Sequence, residues 1–222
     1  MFIGHFALGF ASKRLAHQAS LAPLLVAPLL PDLLWPIFLL LGVERMAITG
    51  GDNPFLTLTF ISYPWSHSLV MDIVWGILFG AAYYLVTRYR RGAWVVALGV
   101  VSHWVLDATT HLPDMPLIPG GAEFVGLALW RSVPGTVVVE AAMLTAGVWL
   151  YTRSTTPRDA VGRYAWWGLV ALLVLTYVAS LGGSTPPSVS ALAWTALVAS
   201  LVTLVWVWWA DRHRTMRSAL SC

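Results

Sequence analysis

The sequence predicts an all-α integral membrane protein of about six transmembrane helices plus a short N-terminal helix that enters the membrane, and three observations carry that prediction. Of the 222 residues, 58% are hydrophobic and only 10% are charged, against the quarter charged that is usual in soluble domains; mean hydropathy is +0.74. The apolar residues gather into six stretches of roughly 20, the length that crosses a hydrocarbon core about 30 Å thick. The basic residues fall in the connections, dense on alternate ones and sparse on the others. This composition leaves no room for a soluble domain. The net charge of +3 is spread over short loops rather than one dense patch, which argues against nucleic acid as a partner and for membrane lipids.

Segment 2–11 is apolar but about half the length needed to span, and Lys13-Arg14 follows it. A secretory signal carries its basic residues ahead of the apolar run and a small-residue cleavage site after it, so this segment is expected to stay in the mature protein. Spans are expected at 21–42, 66–87, 93–110, 133–151, 164–181 and 189–210. In the first, Pro28, Pro31 and Pro36 remove backbone donors and are expected to break the helix around Asp32. Irregular backbone at that depth is tolerated only against protein or a hydrated cavity, so Asp32 should face one. The connections 43–65 and 111–132, rich in Gly, Pro and polar residues, are long enough to cover the outer mouth of such a cavity. The last two spans hold no charged residue or His from Tyr164 to Ala210 and turn at 182–188, as a scaffold hairpin would. The chain thus divides into a metal-site helical core at 1–152 and a C-terminal hairpin at 153–222, packed as one domain.

All Lys and Arg except Arg45 and Arg131 fall on one side of this topology. By the positive-inside rule both termini are then expected to be cytoplasmic. Lys13, Arg153, Arg214 and their neighbours read as topology signals, and Tyr83, Tyr84, Tyr89, Trp94, Trp149, Tyr151, Tyr164, Trp166, Trp167, Trp206, Trp208 and Trp209 as an interfacial aromatic belt. The single Cys, Cys222, excludes an internal disulfide and a multi-Cys zinc site. Any metal must be held by His and carboxylates.

Such residues are present where they cost most. Asp32, Asp72, Asp107, Glu140, His67 and His103 fall in spans, His111 ends one, and His5 lies in the short first segment. An ionisable group in a bilayer costs several kcal/mol unless it is paired, hydrated or metal-bound. In Ser102-His103-Trp104-Val105-Leu106-Asp107-Ala108-Thr109-Thr110-His111, side chains four apart lie about 40° from one another around a helix, so His103, Asp107 and His111 share a face. Helical rise counted from the basic markers puts His5, Asp32, His103 and Glu140 at about 12, 17, 18 and 20 Å, and Asp107, Asp72, His111 and His67 at about 24, 24, 30 and 32 Å. That is a ladder from mid-membrane to the outer surface. Neutral imidazole and carboxylate are donors that zinc accepts, and manganese or iron as alternatives. His5, Asp32, His67, His103, Asp107 and His111 are the candidate metal ligands, Asp107 and Glu140 the candidate proton acceptors, Arg131 a candidate outer contact for an anionic substrate, and Asp72 a supporting group.

The ordered set Gly4-His5, Leu30-Pro31-Asp32, Ser66-His67-Ser68 and Ser102-His103 with Asp107 resembles the small bacterial and archaeal integral-membrane proteins described as membrane-bound metal-dependent hydrolases, over roughly residues 1–146. More distantly, it is similar to zinc-dependent phospholipase C, whose helices also collect scattered His and Asp ligands. The resemblance implies hydrolysis of an ester or phosphoester with one or more divalent metals. The chain lacks the soluble enzymes' N-terminal Trp ligand and second His-x-x-x-acid pair, so a complete three-metal cluster is not carried over. Segment 126–132 and the final hairpin are similar to a longer subgroup loosely labelled permeases.

Three functions compete on this reading. One is a metal-dependent hydrolase whose site opens toward the outer half of the membrane, with a lipid or lipid-linked substrate implied by location. Another is a transporter using the His/Asp ladder for protons or metal ions, to which six spans and the lack of an obvious repeat are unfavourable. The third is a structural protein whose polar cluster holds helices together.

Overall fold

The structure, a computed structural model, describes residues 1–183 and 185–217; Ser184 in the expected hairpin turn and Cys222 lie outside the described residues. The protein is all-α, with six helices long and apolar enough to cross a membrane. They are α2 (Leu21–Leu40), α4 (Leu69–Thr87), α5 (Arg90–Thr110), α6 (Val133–Ser154), α7 (Ala160–Gly182) and α8 (Val189–Arg212). Two short helices complete the set, α1 (Ile3–Ser12) and α3 (Pro64–His67). At 1.5 Å per residue the 20 residues of α2 extend about 30 Å, one hydrocarbon thickness.

α1 is the centre of the bundle. It buries eight of its ten residues, His5 among them, and packs on α2, α5 and α6. Gly147 on α6 makes the closest approach, since a Cβ there would collide with the backbone of Ala7. α5 is seated the same way on both sides. A Cβ on Gly76 of α4 would stand 2.7 Å from the Ala97 carbonyl, and one on Gly99 of α5 would stand 2.8 Å from Ala27 of α2. In lipid, where apolar contact between helices has no aqueous driving force, close backbone approach of this kind is what holds helices together.

The expected break in α2 does not occur. The helix runs unbroken through Pro28, Pro31 and Pro36, packed against α1, α5 and α8, and such support is what lets a spanning helix tolerate proline. A break appears instead where an unbroken span was expected. Pro64 opens the single turn of α3, which stops when Ser68 turns extended (ψ 148°), and the Ser68 hydroxyl then accepts from Met71 N to cap α4. His67 therefore ends its own short helix. At the other side of the site α5 stops at Thr110, and His111 is its extended C-cap (φ −61°, ψ 154°).

The two long connections form antiparallel ribbons, β1 (Arg45–Ile48) with β2 (Leu58–Ser62) and β3 (Met115–Pro116) with β4 (Phe124–Val125). With Trp35 and Tyr63 they make a small apolar layer of Met46, Phe60, Met115 and Val125 over that end of the bundle. A third ribbon, β5 (Thr155–Pro157) with β6 (Arg214–Met216), lies at the opposite end.

Helices α7 and α8 do not form a separate unit. Trp166, Leu169, Leu173, Tyr177 and Val207 share one core with Phe6, Phe10, Leu25 and Leu144, and α8 lies along α2. Two readings of the charged and aromatic residues need correction here. Lys13 and Arg214 are buried, not interfacial, and so are Tyr151 and Trp166. Asp211 accepts from Lys13 Nζ (3.3 Å), Leu21 N (2.8 Å) and Tyr151 OH (2.7 Å). Arg214 donates to Gly162 O (2.7 Å) and Thr155 Oγ1 (3.0 Å). Trp149 and Trp208 are exposed and covered by Arg153 and Arg212 at 5.1 and 4.7 Å.

Candidate metal centre

Asp107 is the hub toward which the candidate ligands converge. Because α5 is regular as far as Thr110, His103 lies one turn back on the same face, with Nε2 3.2 Å from Asp107 Oδ2. The C-cap turn brings His111 Nε2 to 3.5 Å from the same oxygen. α1 delivers His5, its Nε2 3.0 Å from Asp107 Oδ1, and the α-amino group of Met1 also reaches Oδ1. α3 delivers His67, its Nε2 3.9 Å from Oδ2. From α2, Asp32 Oδ1 stands 3.5 Å from His67 Nε2 and 4.0 Å from His103 Nε2. The rings of His5 and His103 stack at 4.1 Å. All of these side chains are buried except Asp32, which is 39% exposed and forms the open edge of the cluster.

The outer nitrogens of the rings fix which atoms face inward. His103 Nδ1 is 2.8 Å from the Pro28 carbonyl, and His111 Nδ1 is 3.1 Å from Asp114 Oδ1. A carbonyl or a carboxylate only accepts, so both Nδ1 atoms carry a proton, and in the neutral imidazoles both Nε2 atoms present a lone pair. Those lone pairs point at Asp107, itself an acceptor, and His103 Nε2 makes no hydrogen bond. The Met1 ammonium supplies one cation at Asp107 Oδ1; the acceptors that face one another at Oδ2 call for another, whether proton or metal.

The spacing suits a metal. Ligand atoms bound to one tetrahedral zinc at about 2.0–2.1 Å stand roughly 3.3 Å from one another. Two sets of three ligand atoms meet within 4.8 Å, His5–His103–Asp107 and Asp32–His67–His103. They share His103, and with Nδ1 committed to Pro28 that ring has one lone pair to give. Buried His and Asp side chains that could hold a metal ion are thus present, with no thiolate among them.

Three of the residues singled out from the sequence stand apart. Glu140 Oε2 accepts from the backbone of Phe2 (2.9 Å) and Gly4 (3.1 Å), which satisfies the free amides of the first turn of α1. No hydrogen bond or ion pair joins Glu140 to a histidine among the described residues; it ties α6 to the helix that carries His5. Asp72, buried in the first turn of α4, has neither carboxylate oxygen hydrogen-bonded. Arg131 is exposed at the end of a 3₁₀ turn, Leu129–Arg131, while its neighbour Trp130 covers His111 at 4.0 Å.

The depth count misplaces His5. It separates His5 from Asp107 by about 12 Å, yet the two are in contact. The zero of that ruler, Lys13, is buried against Asp211 and Ala19 rather than exposed.

Sequence reasoning also passed over Glu44, Tyr63, Asp114 and Trp130. Tyr63 OH donates to Asp114 Oδ1 at 3.2 Å, and burial beside that carboxylate pushes the phenol up, keeping it a donor. Asp114 had a usable signal, three residues after His111 in His-Leu-Pro-Asp. Glu44 had none, because a hairpin separates it from the residues it binds. Tyr63 and Asp114 also line a recess of about 370 Å³ with Phe60, Ile118 and Phe124.

No protein-family model, curated protein or solved structure matches this chain.

Proposed function

We propose that this protein is a metal-dependent membrane hydrolase acting on an ester or phosphoester. One observation carries the reading: four imidazoles and two carboxylates converge with more acceptors than donors, in a bundle where each such group is costly. His5, His67, His103, Asp32 and Asp107 would hold the cation, with His111 beside them, and a set of several imidazoles with carboxylates favours zinc over manganese or iron. Once bound, such a metal supplies a water of lowered pKa and polarises the scissile bond. The protein's own contributions follow from its contacts. Asp107 orients the imidazoles around it. Asp32, the partly exposed member, is where substrate and water would meet the cluster and where a proton would be taken up. Glu140 acts by holding α1, and so His5, in position.

The order of ligands along the chain, similar to that of the membrane-bound metal-dependent hydrolases, supports this assignment. A lipid or lipid-linked substrate is supported by the setting of the cluster among spanning helices and by the apolar recess beside Tyr63 and Asp114. Arg131, exposed at the same end, would meet an anionic headgroup. The distribution of Lys and Arg supports a cytoplasmic membrane with both termini inside and the site toward the outer leaflet.

The test is the metal content of protein purified in detergent beside the Asp107→Asn variant. The expected result is stoichiometric metal in the parent, its loss in the variant, and metal-dependent cleavage of a phosphoester lipid. A folded parent that takes up no metal overturns the proposal. Metal without hydrolysis, but with ion movement into proteoliposomes, would replace it with a carrier.

A further inference from the structure

Glu44 lies in the connection after α2, and the turn into β1 folds its side chain back onto α3. It is 1% exposed. Its Oε1 accepts from the backbone N–H groups of Trp65 (2.9 Å) and Ser66 (2.8 Å), and its Oε2 accepts from the Ser66 hydroxyl (2.7 Å). The same Ser66 oxygen is 2.7 Å from His67 Nδ1. A hydroxyl has one proton to give. Given to Glu44, it leaves Ser66 Oγ only as an acceptor toward His67. Nδ1 must then carry the imidazole proton, and Nε2, which faces Asp32 and Asp107 at 3.5 and 3.9 Å, must present its lone pair.

We propose that Glu44 is a positioning residue that acts through Ser66 to hold His67 in the Nδ1-protonated tautomer, keeping its Nε2 available to a divalent cation. This rests on the metal reading of the site. His67 differs in this respect from two of its neighbours. His103 and His111 are oriented by groups that can only accept, the Pro28 carbonyl and the Asp114 carboxylate. His67 is oriented by a hydroxyl, which accepts or donates according to what lies behind it. Its tautomer therefore depends on a carboxylate more than twenty residues away along the chain.

That dependence gives a test in which an isosteric change has a larger effect than a deletion. In Glu44→Gln the amide oxygen still receives the two backbone N–H groups, because the NH₂ cannot face them. The NH₂ is then turned to Ser66 Oγ and donates to it. The Ser66 hydroxyl then donates its hydrogen bond to His67 Nδ1, the imidazole proton moves from Nδ1 to Nε2, and the tautomer is reversed. In metal-free protein labelled with ¹⁵N-histidine, the His67 resonances should switch from the Nδ1–H to the Nε2–H pattern. Zinc affinity should fall about 10- to 100-fold, the usual cost of losing a group that orients a ligand. Ser66→Ala cuts the connection without reversing it, so its loss should be smaller. In the double variant, with no hydroxyl left to reverse, affinity should return to that of Ser66→Ala alone.

A Glu44 that only braces the loop predicts additive losses and an unchanged His67 tautomer, and either result overturns the proposal. The two readings fail separately. A parent that binds no zinc but shows the tautomer switch overturns the metal centre and leaves the relay. Zinc binding with no switch overturns the relay and leaves the metal centre.

Discussion

At one end of α1, Asp211 receives Lys13, Tyr151 and the backbone of Leu21, and Arg214 is matched to Thr155 and Gly162. At the other end, Asp107 meets four imidazoles, the inward nitrogens of His103 and His111 offer lone pairs rather than protons, and His103 Nε2 is left without a hydrogen bond. Both clusters are buried in the same bundle and use similar residues. In the first, each acceptor has a donor, so the cluster is complete as it stands and its product is a joint between α1, α2, α6 and α8. In the second, acceptors outnumber donors, and the imbalance is what a cation would resolve. Burial of charge alone does not separate structure from function in this molecule. The balance of donors against acceptors does.

The largest effect should come from adding or removing metal. With free zinc about a thousandfold above its dissociation constant, binding stabilises the folded state by about 4 kcal/mol. Chelation should lower the melting temperature of the parent accordingly and leave Asp107→Asn unmoved; equal shifts in both would place the metal elsewhere. Next is Asp211→Asn, which strands Lys13 in the interior and should cost about 3–5 kcal/mol, read by thermal unfolding in detergent. Zinc stoichiometry should stay at the parent's value, and a loss of metal would show that the two ends are coupled. Tyr151→Phe removes one hydrogen bond to the same carboxylate, with an expected cost of about 1.5–3 kcal/mol and again no change in metal.

The smallest effect should be at Asp159. This exposed residue caps α7 through Gly162 N (2.8 Å) and pairs with His213 (2.7 Å). His213 and the capping amide hold its carboxyl below the usual range. The stability it adds is therefore present above the ordinary carboxylate pKa and is lost as pH falls through the lower, folded value. In solvent such a pair is worth little, so Asp159→Asn should melt with the parent at pH 7. A clear drop would make this exposed pair a third structural joint.

The metal-site end was unevenly legible in the sequence. The spacing of His103, Asp107 and His111 placed three groups on one face because a regular helix repeats itself, and α5 is regular up to His111. The convergence of His5, Asp32 and His67 was suggested by their being polar in apolar segments and by the ordered resemblance, not by any local spacing. The proline-rich stretch of α2 read as a broken helix because a single sequence does not show which neighbouring helices will pack against it and support it. The start of α4 read as continuous with His67, because one serine that both ends a turn and caps the next helix looks like any other serine. Lys13 and Arg214 passed as surface charges, since their acceptors, Asp211 and Gly162, lie far away along the chain.

The sequence by itself determined the solvent and the element list. An apolar run of membrane length has to satisfy its own backbone, so six helices and a short seventh follow from composition and periodicity. It also determined that metal chemistry, if present, would be made of imidazole and carboxylate. Only the tertiary structure decided which polar groups meet: that Asp107 is the hub, that Glu140 caps a helix, that Asp211 closes the opposite end, and that Glu44 lies behind His67. Those contacts join segments tens to more than a hundred residues apart. Their partners are set by close helix packing at Gly76, Gly99 and Gly147 and by the folding of the β1–β2 and β3–β4 ribbons, neither of which leaves a local periodicity to read.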